Sequence, residues 1–219
     1  MKKTLLLLVV SVLCLQFSSF SQNTRAGIMG GFAFSGMSGE LFGNENNYET
    51  KRGLTVGMMV DAPIGKSRFS FAPGVHYVQK GTLQRPPTGT LITESYISLR
   101  YAELNANFIY RAPGTKGNFY AGAGPSLSFK VPSKKGTKIE EDKTETDVNF
   151  GTTIDKDLRG MDYGVNFLIG YRLAGGFFVT ANYNRGLRDL RPVPESAPEE
   201  VMNHYFGIQI GWLFANKQN

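Results

Sequence analysis

From residue 26 onward, large side chains fall at every second position in a series of short runs. In the first, Ile28, Phe32 and Phe34 share a parity, while Gly27, Met29, Gly31, Ala33 and Ser35 hold the other. Leu54, Val56, Met58 and Val60 then oppose Thr55, Gly57, Met59 and Asp61, and Phe69, Phe71, Val75 and Tyr77 oppose Ser70, Ala72, Gly74, His76 and Lys80. Ala102, Leu104, Ala106, Phe108 and Tyr110 alternate with Glu103, Asn105, Asn107 and Arg111. In the fifth run Phe119, Ala121, Ala123, Leu127 and Phe129 alternate with Tyr120, Gly122, Gly124, Ser126, Ser128 and Lys130. Three more runs follow, carried by Met161 to Tyr171, Phe177 to Tyr183 and Phe206 to Phe214. Successive strand side chains point to opposite faces, so this spacing predicts eight strands, each with one greasy and one small or polar face. Pro125, inside the fifth run, removes a ladder donor and predicts a bulge there.

The connections alternate in length. Tight links rich in Gly or Pro join strands at 62–67, 112–117 and 173–176, whereas long polar links occupy 35–52, 81–94, 131–159 and 187–202. Short turns at one end and long loops at the other are the habit of an outer-membrane barrel, with turns in the periplasm and loops outside. A spanning sheet must close on itself because the hydrocarbon has no water to satisfy a free edge. Tyr77, Tyr110, Phe119, Tyr171, Phe177 and Trp212 stand toward strand ends, where an aromatic girdle belongs. A soluble β-sandwich also alternates, but its solvent face carries more Lys and Glu; the Gly, Ser and Asn face here suits a narrow lumen. The expected fold is an all-β, eight-stranded antiparallel up-and-down transmembrane β-barrel with short periplasmic turns and long outer loops.

The start of the chain supplies the address. Lys2 and Lys3 precede the uncharged apolar stretch Thr4 to Phe17, and Ser19 and Ser21 place small residues before a cut. Residues 1–21 are therefore expected to be a signal peptide, leaving 22–219 as the barrel domain in the outer membrane. The apolar stretch is shorter than the roughly 20 residues of a spanning helix. The single cysteine, Cys14, would leave with that leader, and Leu13 before it does not fit a lipid-anchor site. No disulfide or thiol chemistry is expected in the mature chain. The formal charge of +6 falls to +4 once Lys2 and Lys3 are gone, and signs are mixed along the rest. Export, and the lack of any basic helix, argue against nucleic-acid binding.

Four stretches carry a family resemblance: Tyr101-Ala102-Glu103-Leu104-Asn105-Ala106-Asn107-Phe108, Ala121-Gly122-Ala123-Gly124-Pro125, Asp162-Tyr163-Gly164-Val165-Asn166 and Tyr183-Asn184-Arg185-Gly186-Leu187. In their order and spacing they resemble PorT-type porin-family outer-membrane β-barrel domains. The resemblance covers nearly the whole mature chain and implies fold and location, without a defined activity. Asn105 and Ala106 replace the family's Ile-Pro type of continuation, so the fourth strand is expected to run more regularly. The last strand, with Phe206, Ile208, Ile210, Trp212 and Phe214, resembles the terminal signal read by barrel-assembly machinery.

Parity directs Asp61, His76, Lys80, Glu103, Arg111, Lys130 and Asp162 into the lumen. An eight-stranded barrel is just wide enough for its side chains to fill, and buried charges there must pair. A salt-bridged polar plug is the expected arrangement, with Glu103 at its centre; a proton or ion path is the sharper alternative. His76 and His204 have no second ligand at metal spacing, and neither sits in a hydrolase constellation. No cofactor, metal or catalytic residue is expected. The charge-dense 131–159 link is expected to be a solvated, mobile loop. With Arg185, Arg188 and Arg191 it offers contacts to lipopolysaccharide phosphates or another envelope protein. Function is expected to be structural or surface-interacting, in outer-membrane lipid; the alternative is a narrow pore or transporter for small solutes or ligands.

Overall fold

The computed structural model describes residues 24–39, 48–84, 92–139, 142–193 and 200–214, so the expected leader lies outside the described residues. Among the described residues nine strands form: β1 (Arg25–Ser38), β2 (Tyr48–Pro63), β3 (Phe69–Gln84), β4 (Ile92–Arg111), β5 (Gly117–Ile139), β6 (Asp142–Asp147), β7 (Met161–Leu173), β8 (Phe177–Gly186) and β9 (Met202–Leu213). β1 to β5 pair in sequence, β5 passes to β7, and β9 returns to β1. Every pairing is antiparallel, and the eight strands other than β6 make a closed ring.

The alternation sorts as the sequence requires. Met58, Phe119 and Ile169 face outward at 63, 66 and 60% exposure, whereas Glu103 and Lys80 face inward at 0 and 1%. Three aromatic pairs ring the short-turn end on the outer surface: Phe69 with Tyr110, Phe119 with Tyr171, and Phe177 with Trp212. Tight turns close that end; Ile64 N donates to Phe69 O across the β2–β3 turn, and Gly176, with φ of 98°, turns β7 into β8.

Three expectations change, two of them at the other end. The ninth strand, β6, folds back on the outer part of β5 from Lys134–Asp147 to Ile139–Asp142, so much of the 131–159 link is a β-hairpin. β2 to β4 likewise run beyond the alternating runs into residues expected to be loop. No register shift accompanies Pro125, because the β4–β5 ladder keeps its register from Asn105–Ser126 to Phe108–Ala123. The register of this ladder shifts instead toward its outer end, between Ile92 and Glu94 and again between Ser98–Lys134 and Arg100–Val131, where Pro132 and Ser133 together oppose Leu99. There Ser133 Oγ accepts the Arg100 N–H at 2.9 Å and donates to Val131 O at 2.7 Å, satisfying groups the ladder leaves free.

Gly81 in β3 has a φ of 134°, and a Cβ there would collide with the carbonyl of Ile97. Its own carbonyl accepts the Ser35 hydroxyl at 3.0 Å. Gly81→Ala is expected to cost about 1–3 kcal/mol, read as a lowered urea midpoint of the folded barrel.

Candidate functional site

The lumen is filled in layers, and glycine is what makes room for them. Gly57 and Gly74 lie against the His76 ring, Gly170 against Tyr120, Gly207 against Asn182 and Gly211 against Phe178; a Cβ at any of them would overlap the neighbour. The small inner parity is thus the complement of large side chains on adjacent strands, and the interior packs rather than opens.

At the short-turn end, Asp61 Oδ2 accepts Arg172 at 2.7 Å and Arg111 at 3.3 Å. Above them Met29, Phe178 and Leu213 form a small apolar floor. An amide ladder follows: Asn182 Nδ2 donates to Asn166 Oδ1 at 3.2 Å, and Asn166 Nδ2 to Asn107 Oδ1 at 3.1 Å. Gln209 bonds Thr55 at 3.0 Å on the opposite wall. The cavity among these groups measures only about 40 Å³.

The next layer is ionic. Lys80 Nζ lies 2.7 Å from Glu103 Oε2 and also donates to Ser128 Oγ at 3.3 Å. Ser128 donates to the same carboxylate oxygen at 3.0 Å, and Tyr205 OH to the other at 2.7 Å. The ammonium also stands 4.8 Å from the Tyr205 ring centroid and 5.3 Å from that of Tyr101, a distance at which the ring faces stabilise a desolvated cation. Glu103 pairs across β4–β5 with Ser128, which pairs across β5–β7 with Asp162, so the three share a row. Asp162 is buried, and among the described residues its Oδ1 and the Tyr101 hydroxyl have no hydrogen-bond partner.

Of the residues parity directs inward, Lys80 and Glu103 form the central pair, and Asp61 and Arg111 form a second one at the short-turn mouth. His76 is buried on the β3 wall and Asp162 beside the central pair. Lys130 does not join them. It keeps the inward parity but lies above the ionic layer, where it is exposed and rests 5.2 Å over the Phe150 ring. Arg172, Ser128, Tyr205 and Tyr101 complete the two networks. All four are inward by alternation, but a search for charge alone passes over the uncharged three.

The outer mouth is covered. Met37 of β1, with Ile97, Leu99 and Tyr101 of β4, packs with Val148 and Leu158 from the segment after β6 and with Leu190 and Val201 from the β8–β9 link. Backbone bonds join the covering segments: Arg159 N to Leu190 O at 2.7 Å, Leu190 N to Val201 O at 2.8 Å and Val148 N to Ser133 O at 2.9 Å. Asp157 accepts Lys135 Nζ at 2.5 Å and the Asn149 N–H at 2.8 Å. The solvated loop expected at 131–159 is therefore a folded cap, because Val148, Phe150 and Leu158, spaced among the charges, bury against β4. On the hairpin, Lys143 and Tyr96 donate to Glu145 and hold its carboxyl down at about 2. Arg191, one of the three arginines expected to reach phosphates, is engaged by Asp189 at 2.8 Å.

Residues 20–191 match the outer membrane protein beta-barrel domain family. No curated protein matches the chain. Among solved structures it is similar to Neisserial surface protein A, at 13% identity and a TM-score of 0.45 over 86% of this chain and 97% of that one. Ail, the attachment invasion locus protein of Yersinia pestis, gives 11% and 0.44 over 88% and 100%. OprG from Pseudomonas aeruginosa gives 11% and 0.43 over 89% and 97%.

Proposed function

The chain belongs to the outer membrane protein beta-barrel domain family, and from that premise we propose that it is a closed barrel with a structural or surface-interaction role, not a channel or an enzyme. The observation that carries this is the buried Lys80–Glu103 pair, at 1 and 0% exposure, which Tyr205 of β9 ties across the lumen through its hydroxyl beneath a folded apolar cap. A solute would have to displace the cap, part the pair and thread the amide ladder. The barrel acts as a rigid anchor, and its exposed hairpin and cap are the surface offered to a partner in the envelope, whether protein or lipopolysaccharide. A closer kinship with PorT-type barrels is supported by the four motifs that carry the resemblance.

The small polar cavity among Asn107, Asn166 and Asn182 is what a narrow solute pore would build on. At about 40 Å³ it has room for a few waters and for no sugar. Liposomes carrying the folded barrel are expected to swell no faster in small sugars than protein-free liposomes. Swelling that depends on sugar size would replace the anchor with a pore.

A further inference from the structure

Charge in this barrel is segregated by end. Around the short-turn, periplasmic end, Arg25, Lys66, Arg68, Arg111, Lys116 and Arg172 stand against one carboxylate among the described residues, Asp61. At the outer end both signs interleave and pair, as with Lys134 and Lys143 on Glu145, Lys135 on Asp157, and Arg191 on Asp189. Asp61 is already shared by Arg111 and Arg172. Lys66, Arg68 and Lys116 are exposed on the two turns, Arg25 is half-buried at the rim, and none of the four is in an ion pair among the described residues.

One of these cations is fixed in depth. Arg68 Nη1 lies 3.5 Å from Tyr110 OH, and the Tyr110 ring packs on Phe69 with centroids 5.3 Å apart on the lipid-facing surface. The guanidinium therefore sits at the polar edge of the aromatic band, where headgroups begin. Cations at that level are attracted to anionic lipid, and the attraction fades beyond a Debye length.

We propose that the periplasmic rim is a binding surface for anionic phospholipid headgroups of the inner leaflet, with Arg25, Lys66, Arg68 and Lys116 as the phosphate-facing groups. It holds the barrel at a set depth from the side opposite the cap. An acidic soluble partner would meet the same charge but would give no lipid selectivity.

The chain carries its own reporter, because its single tryptophan, Trp212, is exposed in the aromatic band of this end beside Phe177. The full barrel is folded into phosphatidylcholine vesicles containing equal mole fractions of either brominated phosphatidylglycerol or brominated phosphatidylcholine. At low salt the brominated phosphatidylglycerol is expected to quench Trp212 as if enriched roughly fivefold, with the excess shrinking as salt rises. Arg25→Gln, Lys66→Gln, Arg68→Gln and Lys116→Gln together should bring the two lipids to parity, while Lys134→Gln with Lys138→Gln at the outer end keeps the enrichment. If the fourfold variant does not fold, Lys66→Gln with Arg68→Gln on the one exposed turn should lose a measurable part of it. Equal quenching by the two lipids in the unmodified barrel, or enrichment that survives the rim substitutions, overturns the proposal.

Discussion

Replacing Glu103 by Gln should destabilise the folded barrel by about 3–5 kcal/mol, because it leaves a buried ammonium without its carboxylate. The Lys80 Nζ then meets a neutral amide where it had a carboxylate at 2.7 Å, beside Ser128 Oγ and two ring faces. Lys80→Met should cost a similar amount from the other side, since Glu103 then relies on Ser128 and Tyr205 alone. The two together should cost much less than their sum, because a neutral Gln can still accept from Tyr205 and a Met fills the stem's volume. Asp162 complicates the first variant in a checkable way. It lies next to Ser128 in the Glu103 row, with an oxygen that has no donor among the described residues, and is the fallback partner for Lys80. Adding Asp162→Asn to Glu103→Gln should therefore deepen the loss. Urea unfolding in detergent, followed by Trp212 fluorescence, measures all four. Single variants within about 1 kcal/mol of the parent would mean that the pair is wet and the lumen open.

The second large effect is at the cap. Leu190 is fully buried between Leu158, Val201 and the β4 residues, and Leu190→Ala should cost about 2–5 kcal/mol of the cap's docking energy. The ring beneath is held by its own ladders, so the heat-modifiable folded band should persist while the cap opens. Trypsin cleavage at Lys156 and Arg159 should then accelerate by about 30-fold or more, since cutting follows the population of the open form. Loss of the folded band together with faster cleavage would show that cap and barrel unfold as one unit.

Most of the barrel was legible from alternation, because lipid outside and a packed lumen inside impose opposite demands on the two parities of every strand. Turn lengths then set the strand order and which end faces the periplasm. The cap was hidden because its apolar residues, Val148, Phe150 and Leu158, are isolated among charges in a segment with no period. Their partners Ile97 and Leu99 lie in a stretch of β4 above the membrane level, where alternation no longer marks a lipid face. The bulge was misplaced at Pro125 for a related reason: a proline removes a donor, but register moves only where an extra residue is inserted, as with Pro132 and Ser133 opposite Leu99. Lys130 shows the limit of parity itself. The inward face was right, yet height along the strand decided whether the side chain met the ionic layer or the mouth. Within the lumen, charge identified Lys80, Glu103 and Asp61, whereas Tyr205, Ser128 and Tyr101 became visible only when register brought them around the ammonium.

The closed lumen is tested most directly by conductance of the purified, folded barrel in planar bilayers. The unmodified protein should give no steady channel, and neither should the cap variant Leu190→Ala, since the Lys80–Glu103 layer remains beneath it. Stable stepwise currents from the unmodified barrel, with an ion selectivity that disappears in Glu103→Gln, would contradict the account and make that pair the filter of a pore.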